Sequence, residues 1–171
     1  MKNIFLVGMP SSGKSTLGRR LARALGLVFV DLDKAIVRDQ RMKIPEIFRE
    51  KGQDFFRELE ARMLREALYF AEGHLLIATG GGTPCYYQNM EYMKSNGLSI
   101  FLNVAPSELA ARILNHNKDD RPLLSQIKAE DLEARLSEGL ADRLPFYAQA
   151  DLTISDKTSV PQIVALVRPL L

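Results

Sequence analysis

Five short apolar runs recur along the chain, each separated from the next by segments with helical spacing. The runs are 3–7 (NIFLV), 27–31 (LVFVD), 75–79 (LLIAT), 98–103 (LSIFLN) and 151–154 (DLTI). Between and after them lie helical patterns at 14–25, 34–40, 45–71, 86–95, 107–116, 130–147 and 159–168. Continuous apolar runs belong to strands buried on both faces, and strands alternating with helices predict an α/β fold around a parallel sheet. The crossovers of such a sheet are right-handed. No repeat, low-complexity segment or linker interrupts the pattern, so the 171 residues are expected to form a single domain spanning 1–171. The stretch 117–128 (NKDDRPLLSQIK) is polar, carries a proline and breaks the spacing, and it reads as a long mobile loop.

The first run leads straight into GMPSSGKST at 8–16, which fits G-x-x-x-x-G-K-[ST]. Gly8 and Gly13 let the backbone turn tightly and bring N–H groups against phosphate oxygens. Met9, Pro10, Ser11 and Ser12 form the loop between them. The helix starting near Lys14 points its positive end at the same anion. Lys14 is expected to reach the β- and γ-phosphates and Ser15 to ligate Mg2+, with Thr16 following in the first helical turn. Residues 8–16 are therefore the expected nucleotide site.

A phosphate loop also serves GTP switches, and Asn117-Lys118-Asp119-Asp120 fits N-K-x-D, the guanine-reading motif of small GTPases. In those proteins the motif ends a strand. Here the nearest strand ends near Asn103, and Pro106-Ser107 opens a helical stretch. The D-x-x-G pattern that holds a GTPase switch and its metal occurs nowhere. The third run leads instead into Thr79-Gly80-Gly81-Gly82. Residues 117–120 thus read as a solvated loop tip.

The formal net charge of +2 leaves no basic stripe of the kind a nucleic-acid binder shows. No run approaches the ~18 apolar residues of a membrane span. The start, MKNIFLVGMP, runs into the motif and does not read as a signal peptide. The single cysteine, Cys85, allows no internal disulfide, which suits a cytoplasmic protein.

Asp31 and Asp33 bracket Leu32 at the end of the second run. Ligands of open α/β sheets sit at the carboxyl ends of strands, so both aspartates belong beside the phosphate site. One could hold a water of the Mg2+ shell and the other could face an acceptor hydroxyl. Asp33 could equally cap a helix starting at Lys34, and the two roles are compatible.

Residues 53–71 form an amphipathic pattern with Phe56, Leu59, Met63, Leu64, Ala67 and Phe70 on its apolar face. Glu58, Arg62 and Arg65 fall opposite, as solvated charges should. Glu60 and Arg57 do not. An inward charge must be paired, either as an ion pair between the two at i,i+3 or as Glu60 bracing Arg57 to bind an anion. In 130–144, Leu132, Leu136 and Leu140 form a stripe that also contains Arg143, and Pro145 should end or kink that helix. Two inward arginines and a flexible loop suggest a second substrate bearing a carboxylate, which Arg matches bidentately.

Taken together, GMPSSGKST, DLD at 31–33, FRELE at 56–60, GGGT at 80–83, RPLL at 121–124 and RLPFY at 143–147 resemble the shikimate kinase family, from Ile4 to about Ile154. The resemblance implies a three-layer α/β/α P-loop kinase fold like that of nucleoside monophosphate kinases, with a five-stranded parallel sheet and a lid at about 117–128. It implies ATP-dependent phosphorylation of the 3-hydroxyl of shikimate, with Mg2+. Carried over by position, Asp33 would bind the substrate hydroxyls and act as base. Arg57 and Arg143 would hold the carboxylate, and the backbone of Gly80, Gly81 and Gly82 would line the site. Arg121 on the lid would reach the phosphates. Asp31 would touch the metal through water, and Arg112 with residues 155–158 would lie near adenine. The expected partners are ATP and shikimate, with no nucleic acid and no membrane, in a monomer.

One departure is visible: the family usually has a third loop glycine where Ser11 stands, and a serine turns there at some conformational cost. His74 and His116 flank regular elements and do not look like ligands. Cys85 is a loop thiol without a partner, and Tyr86, Tyr87 and Tyr92 read as cover for a helix surface. The rivals are another small-metabolite kinase (gluconate or nucleotide), a GTP-binding switch, and an inactive nucleotide-binding module. The paired arginines and GGGT disfavour the first, and the intact Lys14, Ser15 and Asp33 disfavour the last.

Overall fold

A computed structural model describes residues 2–115 and 129–171. The segment 117–128, with its N-K-x-D match, the expected lid and Arg121, lies outside the described residues, as does His116. In chain order the elements are β1 (Asn3–Val7), α1 (Lys14–Leu25), β2 (Val28–Asp31), α2 (Leu32–Gln40), α3 (Ile44–Tyr69) and β3 (Leu75–Ala78). A 3-10 turn at Thr83–Cys85 precedes α4 (Asn89–Asn96), β4 (Gly97–Asn103), α5 (Pro106–Asn115), α6 (Ala129–Tyr147), β5 (Leu152–Ser155) and α7 (Val160–Val167).

The five strands form one sheet in the order β2-β3-β1-β4-β5. Every pairing is parallel, as Ile4 against Leu76 and Leu98, Val30 against Ile77, and Leu102 against Ile154 show. The apolar run of β1 is central, and Ile4, Phe5, Leu6 and Val7 are fully buried. β2 is an edge strand, with Val28 58% exposed, so the apolar character of its run overstates its burial. Helices flank the sheet, with α1 packed on α7, α2 on α3 and α5 on α6. β3 and β4, consecutive in sequence, lie on opposite sides of β1, and the crevice at the carboxyl ends of strands at such a switch point is where ligands bind.

Three local expectations change. The pattern at 45–71 is broken, because Gly52 takes φ 84° and ψ 171° inside α3. A residue without a side chain can turn the chain there and let the helix resume. Phe70, placed on the apolar face, is 75% exposed just past the end of α3. The helix read from 86 starts at Asn89, because Tyr87 and Gln88 both adopt left-handed backbone angles. Pro145 sits inside α6, which ends two residues later at Tyr147. No helix of the described residues is long and apolar enough to cross a membrane.

Candidate active site

The phosphate loop leaves the carboxyl end of β1 with Gly8 at φ 144°, Ser11 at φ 67° and Gly13 at φ 96°. A side chain at Gly8 would lie 2.7 Å from the Leu102 carbonyl oxygen, so glycine is required there by space as well as by angle. Ser11 pays a conformational cost, since a β-carbon disfavours the left-handed region, and its buried hydroxyl has no hydrogen-bond partner among the described residues. Lys14 is buried, and its ammonium donates to the carbonyls of Gly8 (2.9 Å) and Met9 (2.8 Å) and to Ser12 Oγ (3.4 Å). Ser15 and Thr16 lie in the first turn of α1. Arg112 of α5 reaches this loop: Nη1 donates to Ser12 O at 3.0 Å and Nη2 to Asp156 Oδ2 at 2.5 Å. Arg112 and the 155–158 stretch thus meet beside the phosphate loop.

Asp31, not Asp33, caps α2: its Oδ1 accepts from Lys34 N at 3.2 Å. The helix begins at Leu32, so Asp33 is already its second residue and its carboxylate is directed elsewhere. A β-carbon built on Gly80 would lie 2.8 Å from Asp33 Oδ1 and 2.6 Å from Glu60 Oε1. Two carboxylates from different helices therefore approach the Gly80 backbone.

On the acceptor side, Arg57 and Glu60 form the i,i+3 ion pair their inward positions required. Glu60 is 1% exposed and its Oε1 also accepts from Thr83 Oγ1 at 2.7 Å. Burial pushes the Glu60 carboxyl above its ordinary value, against the pull of the Arg57 guanidinium. The Arg57 guanidinium lies 4.6 Å from the Tyr86 ring centroid, and its buried Nε has no hydrogen-bond partner among the described residues. A β-carbon on Gly82 would stand 2.6 Å from that guanidinium, and one on Gly81 would strike the Pro10 ring at 2.6 Å. The three glycines thus let a guanidinium, two carboxylates and the phosphate loop crowd one stretch of backbone.

Arg143, on α6, faces the same space. Arg57, Gly82, Cys85, Tyr86, Arg143 and Phe146 line one cavity of about 280 Å³. Arg143 Nη1 donates to Met9 Sδ at 3.4 Å, and no carboxylate of the described residues pairs with it. The structure therefore brings Arg57, Gly82 and Arg143 together, with Asp33 and Gly80 meeting behind Glu60.

Several residues were missed or misjudged in the sequence. Tyr147 is fully buried and donates to the Gly81 carbonyl at 2.5 Å, fixing the triglycine stretch to the end of α6. Burial drives its phenol well above the ordinary value of 10. Its spacing of four from Arg143 puts it on the same helical face, a signal that was available. Arg65 is not a solvated charge: it donates to Ala61 O, Asn89 Oδ1 and Tyr87 O. Tyr86 covers Arg57 and lines the cavity, as does Cys85, whose thiol burial pushes up.

Mg2+ suits the residues present. Ser15 and the Asp31 carboxylate offer hard oxygens at the head of α1 and the carboxyl end of β2. Among the described residues no group of three or more His, Cys, Asp or Glu forms a cage. Mg2+ bound with a nucleotide needs none, because phosphate oxygens and waters complete its shell.

A family model described as shikimate kinase matches residues 10–168. The chain is 43% identical over 153 residues to shikimate kinase of Parabacteroides distasonis, covering 90% of this chain and 87% of that one. A crystal structure of shikimate kinase from Bacteroides thetaiotaomicron superposes with a TM-score of 0.86 at 40% identity, covering 99% of this chain and 96% of that one. Shikimate kinase from Acinetobacter baumannii in complex with shikimate gives 0.85 at 34% identity, covering 99% and 93%. With its phosphate loop, its twin-arginine cavity and these likenesses, the chain belongs to the shikimate kinase family.

Proposed function

We propose the following roles for this chain's residues in the family's reaction, transfer of the γ-phosphate of ATP to the 3-hydroxyl of shikimate on the way to chorismate. The observation that carries the assignment is the convergence of Arg57 and Arg143 on one cavity beside the phosphate loop. Two guanidiniums on one cavity suit a carboxylate, and a carboxylate held there fixes the ring that carries the hydroxyl. Asp33, near Gly80, positions that hydroxyl and takes its proton as the oxygen attacks phosphorus. Phosphoryl transfer depends mainly on positioning and charge stabilisation.

Lys14 exchanges loop carbonyls for the β- and γ-phosphates, and the N–H groups of residues 8–16 surround the anion. Ser15, with Asp31 through water, holds Mg2+, which when bound neutralises developing phosphate charge. Arg112 braces the loop at Ser12 beside the adenine end, and Arg121 completes the charge around the transferred group. The working unit is a single domain spanning 1–171, a monomer in the cytoplasm that binds neither nucleic acid nor membrane.

The test is ADP release from ATP and Mg2+ with shikimate, gluconate, AMP and CMP as acceptors. Turnover with shikimate at least about a hundredfold above the others is expected: AMP and CMP lack the carboxylate, and a site built for a polar group rejects ligands lacking it, while the open chain of gluconate does not fix a hydroxyl as a ring does. Equal turnover with AMP or CMP, which carry no carboxylate, would overturn the carboxylate-clamp reading, and equal turnover with gluconate, an open-chain carboxylate, would overturn the choice of a ring hydroxyl as acceptor.

A further inference from the structure

Met9 belongs to the phosphate loop, yet its side chain points at the acceptor side. It is 3% exposed, and its sulfur accepts from Arg143 Nη1 at 3.4 Å. The hydroxyl of Tyr147, one turn further along α6, lies 4.0 Å from the same sulfur. A β-carbon on Gly139, one turn earlier, would lie 3.6 Å from Met9 Cε. The thioether thus sits against three successive turns of α6. Its neighbour Pro10 packs on Gly81, whose carbonyl Tyr147 holds.

Arg57 and Arg143 differ in how they are kept in place. Glu60 orients the first by an ion pair. No carboxylate of the described residues orients the second. A long side chain with no fixed partner loses rotamer entropy when a ligand immobilises it, and that loss weakens binding. A sulfur acceptor is weak, but Met9 is shielded from water, so water does not compete for it.

We propose that Met9 is a positioning residue for the acceptor: its sulfur, carried on the phosphate loop, holds Arg143 turned toward the cavity before the carboxylate arrives. This rests on the reading of Arg143 as a carboxylate ligand. It also gives the phosphate loop a direct mechanical link to the acceptor clamp, through a residue that the G-x-x-x-x-G-K-[ST] pattern leaves free. Shifting the loop around a nucleotide shifts the sulfur that sets Arg143.

Met9→Leu keeps the volume and removes the acceptor. The full chain carrying it is compared with wild type and with Arg143→Ala, using shikimate and an analogue lacking the carboxylate. Steady-state kinetics, calorimetric titration and a thermal melt are recorded for each. The expected result is a KM and Kd for shikimate raised about three- to tenfold, the weight of one ordinary hydrogen bond, since a thioether sulfur is too weak an acceptor to give the full worth of a bond to a charged group. The rise in KM should exceed any fall in kcat, and the analogue should lose less than twofold. Met9→Gln, which restores an acceptor on a side chain of similar length, should recover part of the loss. Unchanged shikimate affinity in Met9→Leu beside a large loss in Arg143→Ala would overturn the role of Met9 alone. Equal losses for shikimate and the analogue would make Met9 a packing residue and overturn it too. No loss in Arg143→Ala would overturn the clamp itself.

Discussion

The two halves of the site are built by opposite means. The phosphate half is one contiguous stretch, residues 8–16, whose shape comes from backbone angles at Gly8, Ser11 and Gly13 and whose lysine is held by backbone carbonyls. The acceptor half is gathered from α3, the triglycine stretch, the 3-10 turn and α6, and its shape comes from side chains: Arg57 on Glu60, Glu60 on Thr83, Tyr147 on Gly81. A binding site for a common group, phosphate, can be written locally. One for a particular molecule needs distant positions brought together.

The largest effect is expected in the phosphate half. Lys14→Met removes the charge facing the transferred group, and losing such a contact costs about 10²–10³ in rate. The circular dichroism spectrum should be unchanged, since the loop's angles are set by its glycines. Near-wild-type turnover would break the assignment of that half.

Next comes the acceptor half. Arg57→Ala and Arg143→Ala should each weaken shikimate binding by about 2–4 kcal/mol and leave ATP affinity nearly intact. Only Arg57→Ala should also cost stability, by up to about 3 kcal/mol, because it strands the buried Glu60. Matching melting temperatures for the two variants would mean that Glu60 is satisfied without Arg57.

Smaller still is Gly82→Ala, whose β-carbon would press on the Arg57 guanidinium. Displacing it should cost about 1–3 kcal/mol of shikimate affinity, read by titration, again without loss of ATP binding. A loss of ATP binding here would show that the halves are not separable.

The acceptor half should also respond to pH. Burial holds the Glu60 carboxyl above its ordinary 4.5, so the folded chain keeps that proton where the unfolded chain has lost it. Wild-type stability relative to Glu60→Gln should therefore fall as pH rises from 4.5 through the raised value, then level off. Denaturant melts at stepped pH give the slope, and the opposite slope would mean that Arg57 dominates over burial.

The smallest effect belongs to the loop's departure from its family. Ser11→Gly removes a left-handed serine and a buried hydroxyl that has no partner among the described residues. It restores chain entropy to the unfolded state, so the net gain should stay within about 1 kcal/mol. A destabilised variant would show that the hydroxyl has a partner in solution.

The contrast also explains what could be read in advance. Residues 8–16 were legible because loop, lysine and helix start are adjacent in sequence. Arg57, Glu60 and Arg143 were legible because a charge on an apolar helical face announces a partner. Arg65 defeated the same test, since Asn89 and Tyr87, which draw it in, come from another segment. Asp31 and Asp33 could not be told apart because the cap depends on where α2 begins, and a start two residues earlier, at Leu32 instead of Lys34, reverses their roles. The five parallel strands were read to within a residue or two of their ends, the buried central ones from continuous apolar runs.

Glu60, Thr83, Asn89 and Arg65 form an unbroken polar path: Glu60 accepts from the Thr83 hydroxyl, the Thr83 backbone carbonyl from the Asn89 side-chain amide, and Asn89 Oδ1 from Arg65. Both ends of that path are on α3. The segment carrying the triglycine backbone is therefore stapled to the helix at two places, on the far side of the break at Gly52. The consequence is mechanical. Beyond Gly52 the helix is tied through the glycine stretch to β3 and the central sheet, so Arg57 is carried on the same rigid frame as the phosphate loop, and the break at Gly52 leaves the preceding turns of α3 free to take a different direction.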